Sequence, residues 1–402
     1  MAYVPPHKRL SKKDDGEGSS QSPLPKPELP PPLFNKNLKL KSPGGTSAQH
    51  HTGYEYEDIF RWFAVGLDDH NLLPPSVHLH NVSVESLDGK FVKRRALYHD
   101  RDLTEDSSST GVTESFIRRP WEYIADTVLP DLVSSFEDLR REIESQKLVG
   151  IKPIIITRFG KVLFSGRPSL LSEDELRPLR RSFNTNIPDS FVNDIAKEGV
   201  SKNGLEFAKD KEAYIVFLSD FNQSGEVIFC DCRVLKEDAK LQIYEIKRSY
   251  VRHMLRDISC LEKDLDMRLD LCTRRPVTAL TDDELQSIKE LIDSAILDRE
   301  VKGGLRWPLG NAVSGDKIRV TAVWHVISKK YKNPSLKLKI KNVDRYKFLS
   351  STGEPTREVV IMLKGVASEL MKQKVDMNLI SEMLKDDLKA IWNNFLCCER
   401  FP

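Results

Sequence analysis

Apolar residues recur along this chain with two periods, and each period names a kind of element. Alternation at every second position predicts strands over residues 77–84 and 91–97, with Asp88-Gly89 between them as a hairpin turn. Residues 154–158 and 162–164, joined across Phe159-Gly160-Lys161, read as a second hairpin. Residues 214–218 and 227–234 read as a third, turning through Asn222-Gln-Ser-Gly225. Further strands are predicted at 241–246, 267–273, 318–327, 336–340 and 359–363.

Helical spacing or a helix cap appears in four places. Ile124, Val128, Leu132, Val133, Phe136, Leu139 and Ile143 predict a helix over 121–145, which Pro130 should kink or split. Thr281-Asp-Asp-Glu284 is a capping box opening a helix whose apolar face is Leu285, Ile288, Leu291, Ile292, Ala295 and Ile296. Ser172-Glu-Asp-Glu175 opens a shorter one. A last helix spans about 378–396 through Leu379, Ile380, Met383, Leu384, Leu388, Ile391, Trp392 and Phe395. Strands adjoin strands more often than they alternate with helices. The expected fold class is therefore α+β, with antiparallel hairpins and sheet and packed amphipathic helices.

Neither rhythm covers the first 52 residues, where Ser, Pro and Lys dominate and SPLPKPELPPPL runs from Ser22 to Leu33. Such a segment buries too little apolar area to offset its ordering entropy, so residues 1–52 are expected to be a disordered arm. Residues 53–398 form the expected α+β body, with a division into two lobes near Pro276 as one arrangement. The arm carries eight basic against four acidic residues, a net of +4. With +2 for the whole chain, the remainder is −2, so the body is nearly neutral. The 39% hydrophobic and 30% charged composition is globular. Six scattered cysteines fit a reducing compartment, and no window approaches the ~18 apolar residues of a membrane span. The expected location is cytoplasmic or nuclear, with no membrane partner.

The arm opens with Tyr3-Val4-Pro5-Pro6-His7-Lys8-Arg9. Pro5 and Pro6 preset an extended backbone at low entropic cost, Tyr3 offers an anchor and Arg9 a charge-assisted contact. This string resembles the Tyr-Ile/Val-Pro-Pro-His-x-Arg element in the tails of DEAD-box RNA helicases, a resemblance that implies a protein partner for Tyr3, Pro5, Pro6, His7 and Arg9. Over its length the chain also resembles a plant protein family of unknown function whose members begin Met-Ala-Tyr-Val-Pro-Pro-His-Lys-Arg. The shared words are Asp257-Ile-Ser-Cys260-Leu261, Thr278-Ala-Leu-Thr281 and Val301-Lys-Gly-Gly-Leu-Arg-Trp-Pro-Leu-Gly310. That resemblance implies no catalytic residues.

The sharpest electrostatic feature is residues 328–347, with eight basic residues against Asp344 alone. They are Lys329, Lys330, Lys332, Lys337, Lys339, Lys341, Arg345 and Lys347. Alternation sets Leu336, Leu338 and Ile340 on one strand face and Lys337, Lys339 and Lys341 on the other, about 7 Å apart. That spacing suits a nucleic-acid backbone, with Tyr331 and Tyr346 available for stacking. An exposed lysine face also guards a strand against edge aggregation.

The Gly303–Gly310 loop lacks the order of a phosphate-binding P-loop, though Arg306 within it is a candidate anion ligand. His78-Leu-His80 and Cys230-Asp-Cys232 each place two metal-ligand types on one strand face, but neither has the second pair that structural zinc requires. No metal or cofactor is assigned. No GxSxG, HExxH or kinase set is found. The sequence reading is a non-enzymatic binding or adaptor protein associated with RNA or ribonucleoprotein. The alternatives are an enzyme or small-molecule binder with a pocket beside Gly303–Gly310, and a protein-protein platform without nucleic acid.

Overall fold

The computed structural model describes residues 61–396 except 66, 68–72, 74–75, 86–90, 101–118, 148–149, 166–178, 221–226, 236–238, 249–250, 275–279, 309–312, 315–317 and 349. The Tyr3–Arg9 motif, the 1–52 arm and the Ser172 capping box lie outside the described residues. The elements begin with β1 (Trp62–Val65), β2 (Val77–Glu85), β3 (Phe91–His99), helix α1 (Pro120–Ser145), β4 (Lys152–Ser165) and β5 (Arg180–Asn184). A broken helical stretch follows, α2 (Asp189–Asp194), a π turn (Ile195–Gly199) and α3 (Val200–Lys202). Then come β6 (Glu206–Asp220), β7 (Val227–Val234), β8 (Leu241–Arg248), β9 (Val251–Cys260) and β10 (Asp266–Arg274). Helix α4 (Asp282–Asp293) precedes the short strands β11 (Ile296–Leu297), β12 (Leu305–Arg306) and β13 (Val313–Ser314). The chain closes with β14 (Ile318–Lys332), β15 (Leu336–Lys347), β16 (Thr352–Leu363), α5 (Lys364–Leu370) and α6 (Met377–Asn394).

One large mixed sheet dominates, richer in strand than a balanced α+β protein, with a few helices laid on it. Its order is β1-β9-β10-β4-β16-β15-β14-β6-β7-β8, antiparallel throughout except for the parallel β1–β9 pair. Only two residues, 249 and 250, separate the end of β8 from the start of β9. Three Cα steps span at most about 11 Å. The last strand of the path is thus tied beside the second, and the nine strands from β9 to β8 curl round on themselves.

Burial shows which face is inside that curl. Leu336, Leu338 and Ile340 of β15, with Val359, Ile361 and Leu363 of β16, pack under α1 and α6 against Ile124, Val128, Leu132, Ile380, Leu384 and Ile391. Tyr214, Val216, Leu218, Cys230 and Cys232 pack under α4 against Ile288, Leu291 and Ile292. These helices cover the convex face. On the opposite face Arg345, Glu358, Asp270 and Thr356 are buried too, although no described helix lies over them. The sheet covers that face by wrapping round it.

Several expectations are corrected. Residues 152–165 form one strand, β4, in place of a hairpin. Gly160 is a point of close approach where a turn was expected. A Cβ there would overlap the Asn184 carbonyl, so only glycine lets β5 lie alongside. The first part of β4 pairs with β10 and β16, and the part after Gly160 pairs with β5 and β3. Pro130 does not split α1, which runs unbroken over 26 residues. The lost hydrogen bond, about 3 kcal/mol, is outweighed by the buried stripe of Ile124, Val128, Leu132, Phe136 and Leu139. The α4 capping box is as expected: the Glu284 amide donates to Thr281 Oγ1 at 3.2 Å and the Thr281 amide to Glu284 Oε2 at 2.8 Å.

Candidate functional site

The lysines of β15 lie on the concave face. Their hydrophobic neighbours are claimed by the core under α1 and α6, so strand pleating turns Lys337, Lys339 and Lys341 inward. Antiparallel register then carries the pattern sideways. Lys332 of β14 stands opposite Lys337, Lys330 opposite Lys339, and Lys209 of β6 opposite Lys330. Lys209, Lys330 and Lys339 thus form a row across three strands, with strands about 4.8 Å apart. Like charges directly opposite one another are destabilising.

Four acidic residues of this face are already occupied. Asp270 of β10 is bracketed by Arg158 of β4 and Arg252 of β9, the latter at 3.2 Å. Glu358 of β16 receives Arg345 and, at 3.3 Å, Lys341. Asp231 of β7 accepts from Lys211 at 2.6 and 2.8 Å and lies 3.7 Å from Lys247. Arg268 grips Asp257 with both ends of its guanidinium, at 2.7 and 3.0 Å. Burial alone would raise the Glu358 carboxyl, yet the charges of Arg345, Lys341 and Arg158 hold it down at about 2.

After these pairings, basic residues are left over. Among the described residues, Lys330, Lys337 and Lys339 have no carboxylate within ion-pair distance. Burial first, and then the neighbouring cations, push all three ammonium groups down, Lys330 to about 8 and Lys339 well below the ordinary lysine value. Arg274 of β10 acts on both Lys337 and Lys339, although β16 and β4 lie between β10 and β15 in the sheet. Its charge thus adds to the positive field around the two lysines.

Two apolar surfaces flank the cations. Ile154, Ile156, Val360, Met362 and Cys272 form one patch on the concave face. Ile215, Phe217, Phe229, Ala322 and Trp324 form another, with the Arg345 guanidinium 4.7 Å from the Trp324 ring centroid. The arrangement is suited to holding a multiply charged anion: cations from several strands share one face, and the carboxylate beside the Lys330 row, Glu206 opposite Lys332, is exposed at its edge.

The residues singled out from sequence separate into groups. Lys330, Lys332, Lys337, Lys339, Lys341 and Arg345 share the concave face, with Arg345 buried against Glu358 and Thr356. Lys329 falls on the convex face and is exposed, because it sits one residue out of step with Lys330. Arg306 is half exposed and pairs with Asp298 at 2.8 Å. The loop around it packs on the convex side. Gly303, at φ +77°, donates its amide to Asp344 at 2.8 Å, and Trp307 is buried with its indole donating to the Leu291 carbonyl. Cys230 and Cys232 are core residues, and burial pushes the Cys230 thiol up to about 12. His78 and His80 both lie against the Tyr98 ring.

Sequence reasoning missed Lys209, Lys211, Arg158, Arg252, Arg274 and the four acids. The signal was present: β10 reads Asp266-x-Arg268-x-Asp270-x-Cys272-x-Arg274 around Met267, Leu269 and Leu271, all three in the core. Charges at four of the five alternate places of an otherwise apolar strand mark a charged interior.

No helix among the described residues is long and apolar enough to cross a membrane. Among curated proteins no sequence matches this chain. Solved structures similar in backbone include the S. pombe Pct1 RNA triphosphatase in complex with the Spt5 CTD, at 13% identity and TM-score 0.41, covering 68% of this chain and 95% of that one. The same enzyme without the peptide gives 12% identity and TM-score 0.42, over 73% of this chain and 97% of that one. The PH1012 protein from Pyrococcus horikoshii OT3 is 10% identical with TM-score 0.24, over 54% and 93%. A family model matches residues 46–395, nearly the whole of the described body, and the chain belongs to that family, described as a domain of unknown function (DUF7903).

Proposed function

We propose that this protein binds phosphate-rich anions on the concave face of its sheet, with a linear polyphosphate chain as the best-fitting ligand. The observation that carries the reading is the row of Lys209, Lys330 and Lys339, with Lys337 beside it, in which Lys330, Lys337 and Lys339 lack acidic partners although each is partly buried. A fold that keeps uncompensated like charges face to face bears a stability cost that a bound anion removes. The RNA association expected from sequence is narrowed by the same geometry. The lysines lie on the curled, partly buried face, which an extended phosphate chain enters more readily than a bulky folded RNA. The Tyr3–Arg9 peptide is proposed to recruit a protein partner independently of this site.

Calorimetric titration with inorganic tripolyphosphate across a salt series tests the reading. Lys337→Gln and Lys339→Gln are each expected to weaken binding about tenfold, as loss of a charged hydrogen bond does. Lys329→Gln, on the other face, is expected to leave it unchanged, as is removal of residues 1–52. Equal weakening by Lys329→Gln, or no binding by the full chain, would overturn the proposal.

A further inference from the structure

At one rim of the basic face stands an aromatic side chain that the core does not use. Tyr244 is 59% exposed, although it lies in the middle of β8. It sits at a β-bulge: Asp231 of β7 pairs with Glu245 and the next residue, Cys232, pairs with Ile243, so Tyr244 is the extra residue. Bulges re-aim side chains, and this one brings the ring to the concave side. There the Lys211 ammonium lies 5.4 Å and the Arg233 guanidinium 5.3 Å from the ring centroid. Both cations are themselves fixed. Lys211 is held by Asp231, and Arg233 donates from Nε to Gln242 Oε1 at 3.1 Å. They come from β6 and β7, and with both cations beside it the side chain still leaves more than half its surface to solvent. Lys211 also links this rim to the unpaired lysines, because its charge is one of those that depress Lys330.

An open aromatic face beside two anchored cations, at the edge of a phosphate-binding surface, is the arrangement that recognises a nucleobase carried on a phosphate chain. We propose that Tyr244 is the base-stacking platform of this site and that its ligand is a nucleoside polyphosphate. The phosphates lie toward Lys330, Lys337 and Lys339, and the base lies against the exposed part of the Tyr244 ring. This inference rests on the anion-binding reading of the concave face and adds the chemical class of the ligand to it.

The test compares ATP with inorganic tripolyphosphate by calorimetry on the full chain, as wild type, Tyr244→Ala and Tyr244→Phe, with circular dichroism to confirm folding. Tyr244→Ala is expected to weaken ATP about tenfold and to leave tripolyphosphate within about twofold, since stacking contributes only to a ligand that has a base. Tyr244→Phe, which keeps the ring, is expected to retain ATP affinity. If Tyr244→Ala leaves ATP unchanged, or weakens both ligands equally, the stacking role is refuted while anion binding stands. If the wild type binds neither ligand, the anion-binding reading falls and this inference falls with it.

Discussion

At the scale of single residues, the concave face holds two kinds of charge with opposite effects on stability. Glu358 is compensated: Arg345, Lys341 and Thr185 surround it, and its carboxyl sits at about 2 against an ordinary 4.5. Its folded pKa is depressed, so its contribution is present above about 4.5 and is lost as pH falls through about 2. Glu358→Gln strands Arg345, which is 1% exposed, and is expected to cost about 3–5 kcal/mol in urea denaturation at neutral pH. The lysines are uncompensated. Lys339→Met is expected to raise the stability of the ligand-free protein by up to about 1 kcal/mol while it weakens anion binding, two readouts moving in opposite directions. The Lys330 ammonium sits at about 8, below the ordinary 10.5, so the unfolded chain binds more protons between those values. Ligand-free stability should accordingly rise from pH 8 towards 10.5, and anion affinity should fall as Lys330 loses its proton above about 8.

At the scale of elements, α6 carries an ionisable group where an apolar one would serve. Asp387 is 7% exposed, its Oδ2 has no hydrogen-bond partner among the described residues, and burial together with Asp386 lifts its carboxyl to about 7 from 3.8. A raised acid binds its proton more tightly in the folded state, so its contribution erodes as pH climbs from 3.8 through about 7. Asp387→Asn is expected to stabilise the protein by more than about 1 kcal/mol at pH 8 and to remove that part of the pH dependence, measured by thermal melts across pH. Gly160→Ala, which drives a methyl into the Asn184 carbonyl, is expected to cost about 3 kcal/mol and to detach β5 from β4.

The three longest helices among the described residues were legible in the sequence because their faces are simple, whereas the short helical pieces at 189–202 and 364–370 were not read. The α4 cap and the apolar stripes of α1 and α6 are local patterns, and they appear where periodicity puts them. Strand β9 escaped notice because a bulge opposite the Leu271/Cys272 step breaks its alternation. The two-sided character of β15 was legible too, but its direction was not. Whether Lys337 and Lys339 face outward or into a curl depends on strand order, which joins residues more than a hundred positions apart and leaves no trace in any short window.

At the scale of the whole molecule, the site is a property of closure. Cations from β4, β6, β10, β14 and β15 share one face through pleat and register, and the curl of the sheet turns that face inward. A ligand that bridges those walls stabilises the folded state alone. Saturation at a hundred times the dissociation constant is expected to add about 2.7 kcal/mol, read as a rise in melting temperature with tripolyphosphate that chloride at equal ionic strength does not reproduce.

Strand β4 lies between β10 and β16, and β16 ends at Leu363. During synthesis, β4 emerges about two hundred residues before the strand that completes its second edge. The wall cannot seal, and the lysines of β15 cannot meet Arg158 across β16, until β16 has left the ribosome. A product cut between β15 and β16 therefore carries every lysine of the site but lacks the strand that joins β15 to β4, so it is expected not to capture the ligand.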